Sequence, residues 1–191
     1  AVPDRYPFRD VARIEGNWKY ESVKFVYERN IMVGADREEF RPDAPSTRAM
    51  FAAILYRVEG NPYVADYEQK FSDVKSGKWY SNAVAWAHNQ GIVAGFSDGS
   101  FRPDDYITRE QMARMLHQYM NGKKYGTDVY GELDEFADSE NVSRWAAQDV
   151  RWAVGMEVIH GMRINGISYL KPKDCATRAE CAAMMRSFMI K

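Results

Sequence analysis

One pattern occurs three times along this chain, and it constrains the fold more than any other feature. In each copy a tryptophan (Trp18, Trp79, Trp145) precedes a second aromatic residue (Phe25, Trp86, Trp152) by seven positions, and a glycine (Gly34, Gly95, Gly161) follows nine positions later. A Thr-Arg pair closes each copy, in "TRAM" at Thr47, "TREQ" at Thr108 and "TRAE" at Thr177. Fixed spacing in three copies is internal evidence for one structural unit used repeatedly. The boundaries fall at residues 1–63, 64–130 and 131–191, all within one domain, and "NGKKYGTDVYGELDE" (121–135) reads as a surface linker between the second and third copies.

Each unit reads as helix, turn-rich segment, helix, so the fold class is mainly α. After each Thr-Arg pair, apolar residues recur at helical spacing. They are Phe51, Ile54, Leu55 and Val58, then Met112, Met115, Leu116 and Tyr119, then Cys181, Met184, Met185 and Phe188. That stripe predicts an amphipathic helix whose methionines fill core space. The first helix of each copy starts near its tryptophan, with Asp10, Asp73 or Asp138 upstream in a turn or cap role. It stops at Asn30 and Gly91, residues that tolerate the left-handed conformation, whereas Glu157 and the earlier Gly155 predict a different end in copy three. Asp98-Gly99 predicts a tight turn, followed by an extended piece ending at Pro103.

Thr108 with Gln111, and Thr177 with Glu180, form capping boxes, whereas Thr47 with Met50 lacks the reciprocal acceptor. Arg48, Arg109 and Arg178 then stand in the first helical turn, where a cation is disfavoured. Two readings remain open. Each arginine pairs with a nearby acid such as Asp43 or Asp104, or it joins free helix-start N–H groups in an anion site, where a planar guanidinium suits carboxylate or phosphate. The glycines serve turns or allow a ligand close to the backbone. The aromatic stripe is mostly core, although an exposed tryptophan at a groove edge is a platform for a sugar ring.

Other function classes find little support. The net charge is −1 and no helix is strongly basic, which disfavours nucleic acid as a partner and leaves anions to local pockets. Cys175 and Cys181 match no metal motif and no obvious disulfide. His88, His117 and His160 occupy non-equivalent positions and join no catalytic constellation, and "SDGS" lacks the ligand count of a calcium loop. The expectation is therefore no enzyme activity, no cofactor and no metal. No apolar run reaches the length of a membrane span. "AVPDRYPFRDV" is not a signal peptide, so an exported protein would have its targeting segment removed or outside this sequence.

The strings "FSDV", "WYSNAVAWA" and "GIVAGFSDGSFRPDDYITREQMARML" resemble the S-layer homology domain, which typically occurs as three tandem repeats, and the likeness runs from Phe8 to about Met189. The resemblance implies a pseudo-threefold domain with a central three-helix bundle and three prongs. It also implies an extracellular, wall- or S-layer-associated module of a larger surface protein, monomeric as a module. Its implied partner is the secondary cell wall polysaccharide of Gram-positive bacteria, carrying a pyruvate ketal on an N-acetylmannosamine-type sugar. Carried onto this sequence, Arg48, Arg109 and Arg178 become anchors for the ketal carboxylate. Gly34, Gly95 and Gly161 become close-approach positions, and Asp10, Asp73, Asp138, Trp18, Trp79 and Trp145 line or support grooves between copies. Copy one replaces "GFSDGSF" by "GADREEF", and copy three inserts three residues before Thr177 and has Lys173 where Asp43 and Asp104 stand. The grooves are therefore expected to bind unequally, with Arg109 in the most regular copy the first position to test. The alternative is a helical protein–protein module that organises neighbouring surface-layer proteins, with the arginines as internal salt bridges.

Overall fold

The computed structural model describes residues 6–64, 69–123 and 128–190. Each copy contributes two helices: α1 (Trp18–Glu28) and α2 (Arg48–Val58), α3 (Ser81–Asn89) and α4 (Arg109–Lys123), α5 (Ala147–Gly155) and α6 (Arg178–Met189). Among the described residues the strands are two short ones, β1 (Met162–Ile164) and β2 (Ile167–Tyr169), paired as an antiparallel hairpin. No described helix is long and apolar enough to cross a membrane.

The principal helix packings cross the boundaries between copies. α3 packs on α2, α5 on α4, and α1 returns to pack on α6, so the first and last copies meet. A repeat is therefore not a self-contained helical hairpin. Backbone bonds close the same cycle at its centre. The N–H of Ser46 donates to Ala176 (2.8 Å), that of Ala176 to Ile107 (2.9 Å), and that of Ile107 to Ser46 (2.9 Å). All three residues are fully buried, so each bond replaces water that cannot reach it.

The Thr-Arg helices begin as their sequences dictate. Thr108 Oγ1 accepts from the Gln111 N–H at 3.3 Å while Gln111 Oε1 accepts from the Thr108 N–H at 3.2 Å. Thr177 and Glu180 do the same at 3.2 and 2.7 Å. At Thr47 the reciprocal acceptor is only the Met50 sulfur, 3.5 Å away, a weak acceptor that makes this the poorest of the three boxes. The apolar stripe is buried as patterned, with Phe51, Leu55, Met112, Leu116, Cys181 and Met185 fully enclosed. Burial pushes the Cys181 thiol up to about 12, while Cys175 is exposed, and the two are free thiols.

Three expectations need correction. The aromatic stripe divides: Trp86 and Trp152 are core, but Trp18, Trp79 and Trp145 are 50%, 62% and 50% exposed. The first helix of copy three ends like the others, because Glu157 takes φ 50° where Asn30 has 57° and Gly91 has 72°. In each, the following N–H reaches back to close the helix (Ile31 to Val26, Ile92 to Ala87, Val158 to Ala153). Gly155 is the last residue of α5 and serves a different purpose. A Cβ there would sit 2.6 Å from the Gly131 nitrogen, so the two glycines let residues around 131 lie directly on the helix. The segment 121–135 is consequently more than a surface linker. Its first residues 121–123 end α4, residues 124–127 lie outside the described residues, and Tyr130 and Leu133 pack against the core.

Candidate functional site

The upstream aspartates build the frame of the site. Asp73 accepts the N–H groups of Phe101 and Arg102 at 2.8 and 2.7 Å. Asp10 does so for Phe40 and Arg41 at 2.9 and 2.6 Å, and Asp138 for Leu170 and Lys171 at 2.7 and 2.8 Å. Both oxygens of each carboxylate therefore hold backbone, neither capping a helix nor facing away from the protein. The clamp fixes an unusual conformation, since Arg41, Arg102 and Lys171 all have φ between 52° and 59°. Non-glycine residues rarely adopt that region without such support.

The clamped segment presents every second carbonyl to the Thr-Arg helix of the preceding copy. Phe101 O accepts Arg48 Nε at 2.8 Å, Pro103 O accepts the Ala49 N–H, and Asp105 O accepts the Arg48 N–H. Leu170, Pro172 and Asp174 serve Arg109 and Glu110 identically, with Arg109 Nε at 2.8 Å. Phe40, Pro42 and Ala44 serve Arg178 and Ala179, with Arg178 Nε at 2.7 Å. This differs from the expectation of free helix-start N–H groups. The first two are bonded to carbonyls of another copy and the third to the capping threonine, so only the guanidinium tips remain to meet a ligand. It also explains an arginine at the positive end of a helix: three carbonyl dipoles point at it, and they favour the cation the helix alone would oppose.

The tips differ among the three sites. Arg109 also donates from Nη2 to His160 O and from Nη1 to Glu180 Oε1, both at 3.1 Å, with side chains 8% and 14% exposed in that ion pair. The salt-bridge reading thus holds at one arginine, through Glu180 rather than Asp43 or Asp104; Asp43 instead pairs with Lys19 at 2.6 Å. Arg178 donates Nη2 to Val33 O at 2.6 Å. Arg48 has its guanidinium carbon 4.8 Å from the ring centroids of both Phe96 and Phe101, and the Arg102 guanidinium carbon lies 4.0 Å from the same Phe96 centroid.

Two clefts open beside these arginines, each assembled from all three copies. The larger, about 620 Å³, brings together Trp18 of copy one, Arg109 of copy two, and His160 and Gly161 of copy three. The second, about 550 Å³, joins Gly34 of copy one, Trp79 of copy two and Arg178 of copy three. Gly95, Arg48 and Trp145, the remaining three, line neither of these clefts.

Packing inside the protein by itself requires the glycines. A Cβ on Gly34, Gly95 or Gly161 would lie 2.5, 2.4 or 2.4 Å from the ring of Phe8, Phe71 or Phe136 respectively, the phenylalanine two positions before each clamping aspartate. Only Gly95 has a positive φ, so turn geometry alone explains neither Gly34 nor Gly161. The sequence shows those phenylalanines at constant spacing from the aspartates, but not that each ring fills the space of a glycine's missing Cβ.

The loops after the glycines vary without changing this frame. In copy one Ala35 N–H donates to Glu39 O and in copy two Phe96 N–H donates to Ser100 O, both at 2.8 Å. Copy one achieves the closure without a glycine turn: the N–H groups of Glu38 and Glu39 hold the Asp36 carboxyl below its usual range. The insertion in copy three becomes the β1–β2 hairpin, turned at Asn165-Gly166 with both φ positive (50° and 85°). Lys173 bonds to buried Glu110 at 2.7 Å, which also accepts from Ser143, tying copy three to copy two.

Residues 7–52 and 70–113 match the family model of the S-layer homology domain. The chain belongs to the S-layer homology family. Those matches cover the first and second copies; the third joins them through the same clamp, carbonyl ladder and arginine. An amylopullulanase from Thermoanaerobacterium thermosulfurigenes is 34% identical over 180 residues, 93% of this chain and 9% of that protein. The surface-layer 125 kDa protein of Lysinibacillus sphaericus is 30% identical over 92% of this chain and 14% of its own length. A cellulosome-anchoring protein of Acetivibrio thermocellus is 28% identical over 76% of this chain and 32% of its own. The chain thus corresponds to a minor part of each relative, whether that relative is named as an enzyme or as a surface protein.

Proposed function

We propose that this chain is a non-catalytic module that anchors a longer surface protein to the bacterial cell wall, outside the cell, by binding a pyruvylated secondary wall polysaccharide in its inter-copy clefts. The observation that carries the reading is the composition of each cleft: an exposed tryptophan, a glycine wall and a buried arginine, one from each copy. The tryptophan face suits a sugar ring, the glycine leaves room for it, and the guanidinium tip suits the ketal carboxylate. The relatives support an anchoring role, because a surface-layer protein, a cellulosome-anchoring protein and an amylopullulanase share this segment. The closed cycle of helix pairs and hydrogen bonds fits the pseudo-threefold arrangement of prongs about a central bundle. Because each cleft needs three copies, no single copy suffices.

The direct test is sedimentation with purified wall. The chain co-pellets with intact wall material and stays in the supernatant when the secondary polymer has been stripped from the peptidoglycan. Equal pelleting with stripped wall would instead favour a partner other than that polymer. Pelleting with neither, together with self-association of the chain, would favour the protein–protein module, for which the Arg109–Glu180 pair is the supporting contact.

A further inference from the structure

The Arg178 cleft contains a second arginine that none of the repeated motifs includes. Arg57, near the end of α2, lines it together with Val33, Gly34, Trp79, Arg178 and Arg41 at the rim. No acidic side chain is among the described residues that line this cleft. Arg41 is held at the exposed edge by Glu39 at 3.1 Å and Asp36 at 3.8 Å. Arg57 and Arg178 have no ion-pair partner among the described residues. Arg57 makes one long bond, from Nη1 to Ile31 O at 3.4 Å, and Arg178 donates to Phe40 and Val33 carbonyls.

Two half- to fully buried cations sharing one cleft without a counter-charge is an expensive arrangement. Burial pushes both guanidinium groups below the usual arginine range, and the charges of Arg41 and Arg57 press further on Arg178 against the favourable pull of Asp10. The Asp10 carboxylate is itself engaged by the Phe40 and Arg41 N–H groups. The other two sites are unlike this one. Arg109 already has Glu180 at 3.1 Å, and Arg48 lies against two phenylalanine rings where Arg178 lies against one, Phe40 at 4.5 Å.

We infer that Arg57 is a second anion-holding side chain, and that it makes the Arg178 cleft, not the Arg109 cleft, the tightest carboxylate site of the chain. A single carboxylate entering beside Gly34 neutralises the repulsion between two arginines there, whereas at Arg109 it must compete with Glu180. The inference rests on the proposed function and ranks the clefts within it. Regularity of the repeat favours Arg109; the net charge of the lining favours Arg178, with three arginines and no acid among the described residues there against Arg109, Arg163 and Arg186 offset by Glu180 in the other cleft.

The test is calorimetric titration of a methyl glycoside of pyruvylated N-acetylmannosamine into the wild type, Arg57→Gln and Arg186→Gln, the last lining the Arg109 cleft. Arg57→Gln removes one weak backbone bond, so its thermal melting should match the wild type and keep the variant informative. Loss of a charge-assisted contact predicts roughly 10-fold weaker binding at the tightest site for Arg57→Gln. For Arg186→Gln the loss should be confined to a second, weaker site. Unaltered affinity at the tightest site in Arg57→Gln, or loss there in Arg186→Gln alone, would overturn the ranking while leaving the proposed function standing. No binding of the ketal sugar by the wild type would overturn both.

Discussion

Asp73→Ala should lower the free energy of unfolding by about 3 kcal/mol, the sum expected for two carboxylate-accepted backbone bonds around a buried residue. The Phe101 N–H and the Arg102 N–H lose their shared acceptor. Phe101 is fully buried, so water does not take the place of the carboxylate at its N–H. Arg102, at φ 59°, loses the bond that holds its left-handed backbone. The damage does not stay in copy two, because the same segment offers Phe101, Pro103 and Asp105 carbonyls to the start of α2 in copy one. Urea denaturation followed by circular dichroism measures the effect. Asp73→Asn, which keeps one accepting oxygen, should fall between wild type and alanine. A loss below about 1 kcal/mol for the alanine variant would mean that the clamp is not a principal support of the frame.

Gly161→Ala should cost about 1–3 kcal/mol, the usual range for forcing one extra methyl into a packed site. Its Cβ would lie 2.4 and 2.9 Å from two atoms of the Phe136 ring and 3.1 Å from Tyr169 O. Phe136 is buried, and Tyr169 belongs to the hairpin that follows the glycine, so relief requires moving either the core ring or that hairpin. Gly161 also lines the Arg109 cleft, and such movement should alter the cleft as well. Phe136→Leu in the same background removes ring atoms from the collision and should recover part of the lost stability. An unchanged melting temperature in Gly161→Ala alone would show that the ring is free to yield.

How much of this was legible in the sequence depends on what each residue interacts with. Caps and helical stripes are local, and Thr108 with Gln111 or the Met112 stripe could be read from neighbours three or four positions apart. The helix end at Glu157 was misread because a residue type was taken as the signal, whereas the conformation is set by the Val158 N–H reaching Ala153. Long-range partners were the main gap. Constant spacing marked Phe8, Phe71 and Phe136 and the aspartates as repeated, yet nothing in a linear string says that a ring fills the space of a missing Cβ. The spacing likewise did not reveal that helices pair between copies, α1 with α6 across nearly the whole chain. At the candidate site, the arginines, glycines and first tryptophans were all marked, and two clefts bring such a trio together. What the repeat concealed is how the sites differ, since Phe96 and Arg57 stand outside the shared pattern, and Glu180 holds a position in it where the other copies have Met50 and Gln111.

The measurement that bears most directly on the proposed function is the affinity of the intact chain for soluble wall-polymer fragments with and without the pyruvate ketal, at equal length and sugar composition. Charge-assisted bonds from guanidinium to carboxylate are worth about 1.5–3 kcal/mol, so the ketal-free fragment should bind roughly 10- to 100-fold more weakly. Added salt should narrow the difference by screening the exposed part of the interaction. Equal affinity for the two fragments would contradict recognition of the ketal carboxylate by the cleft arginines.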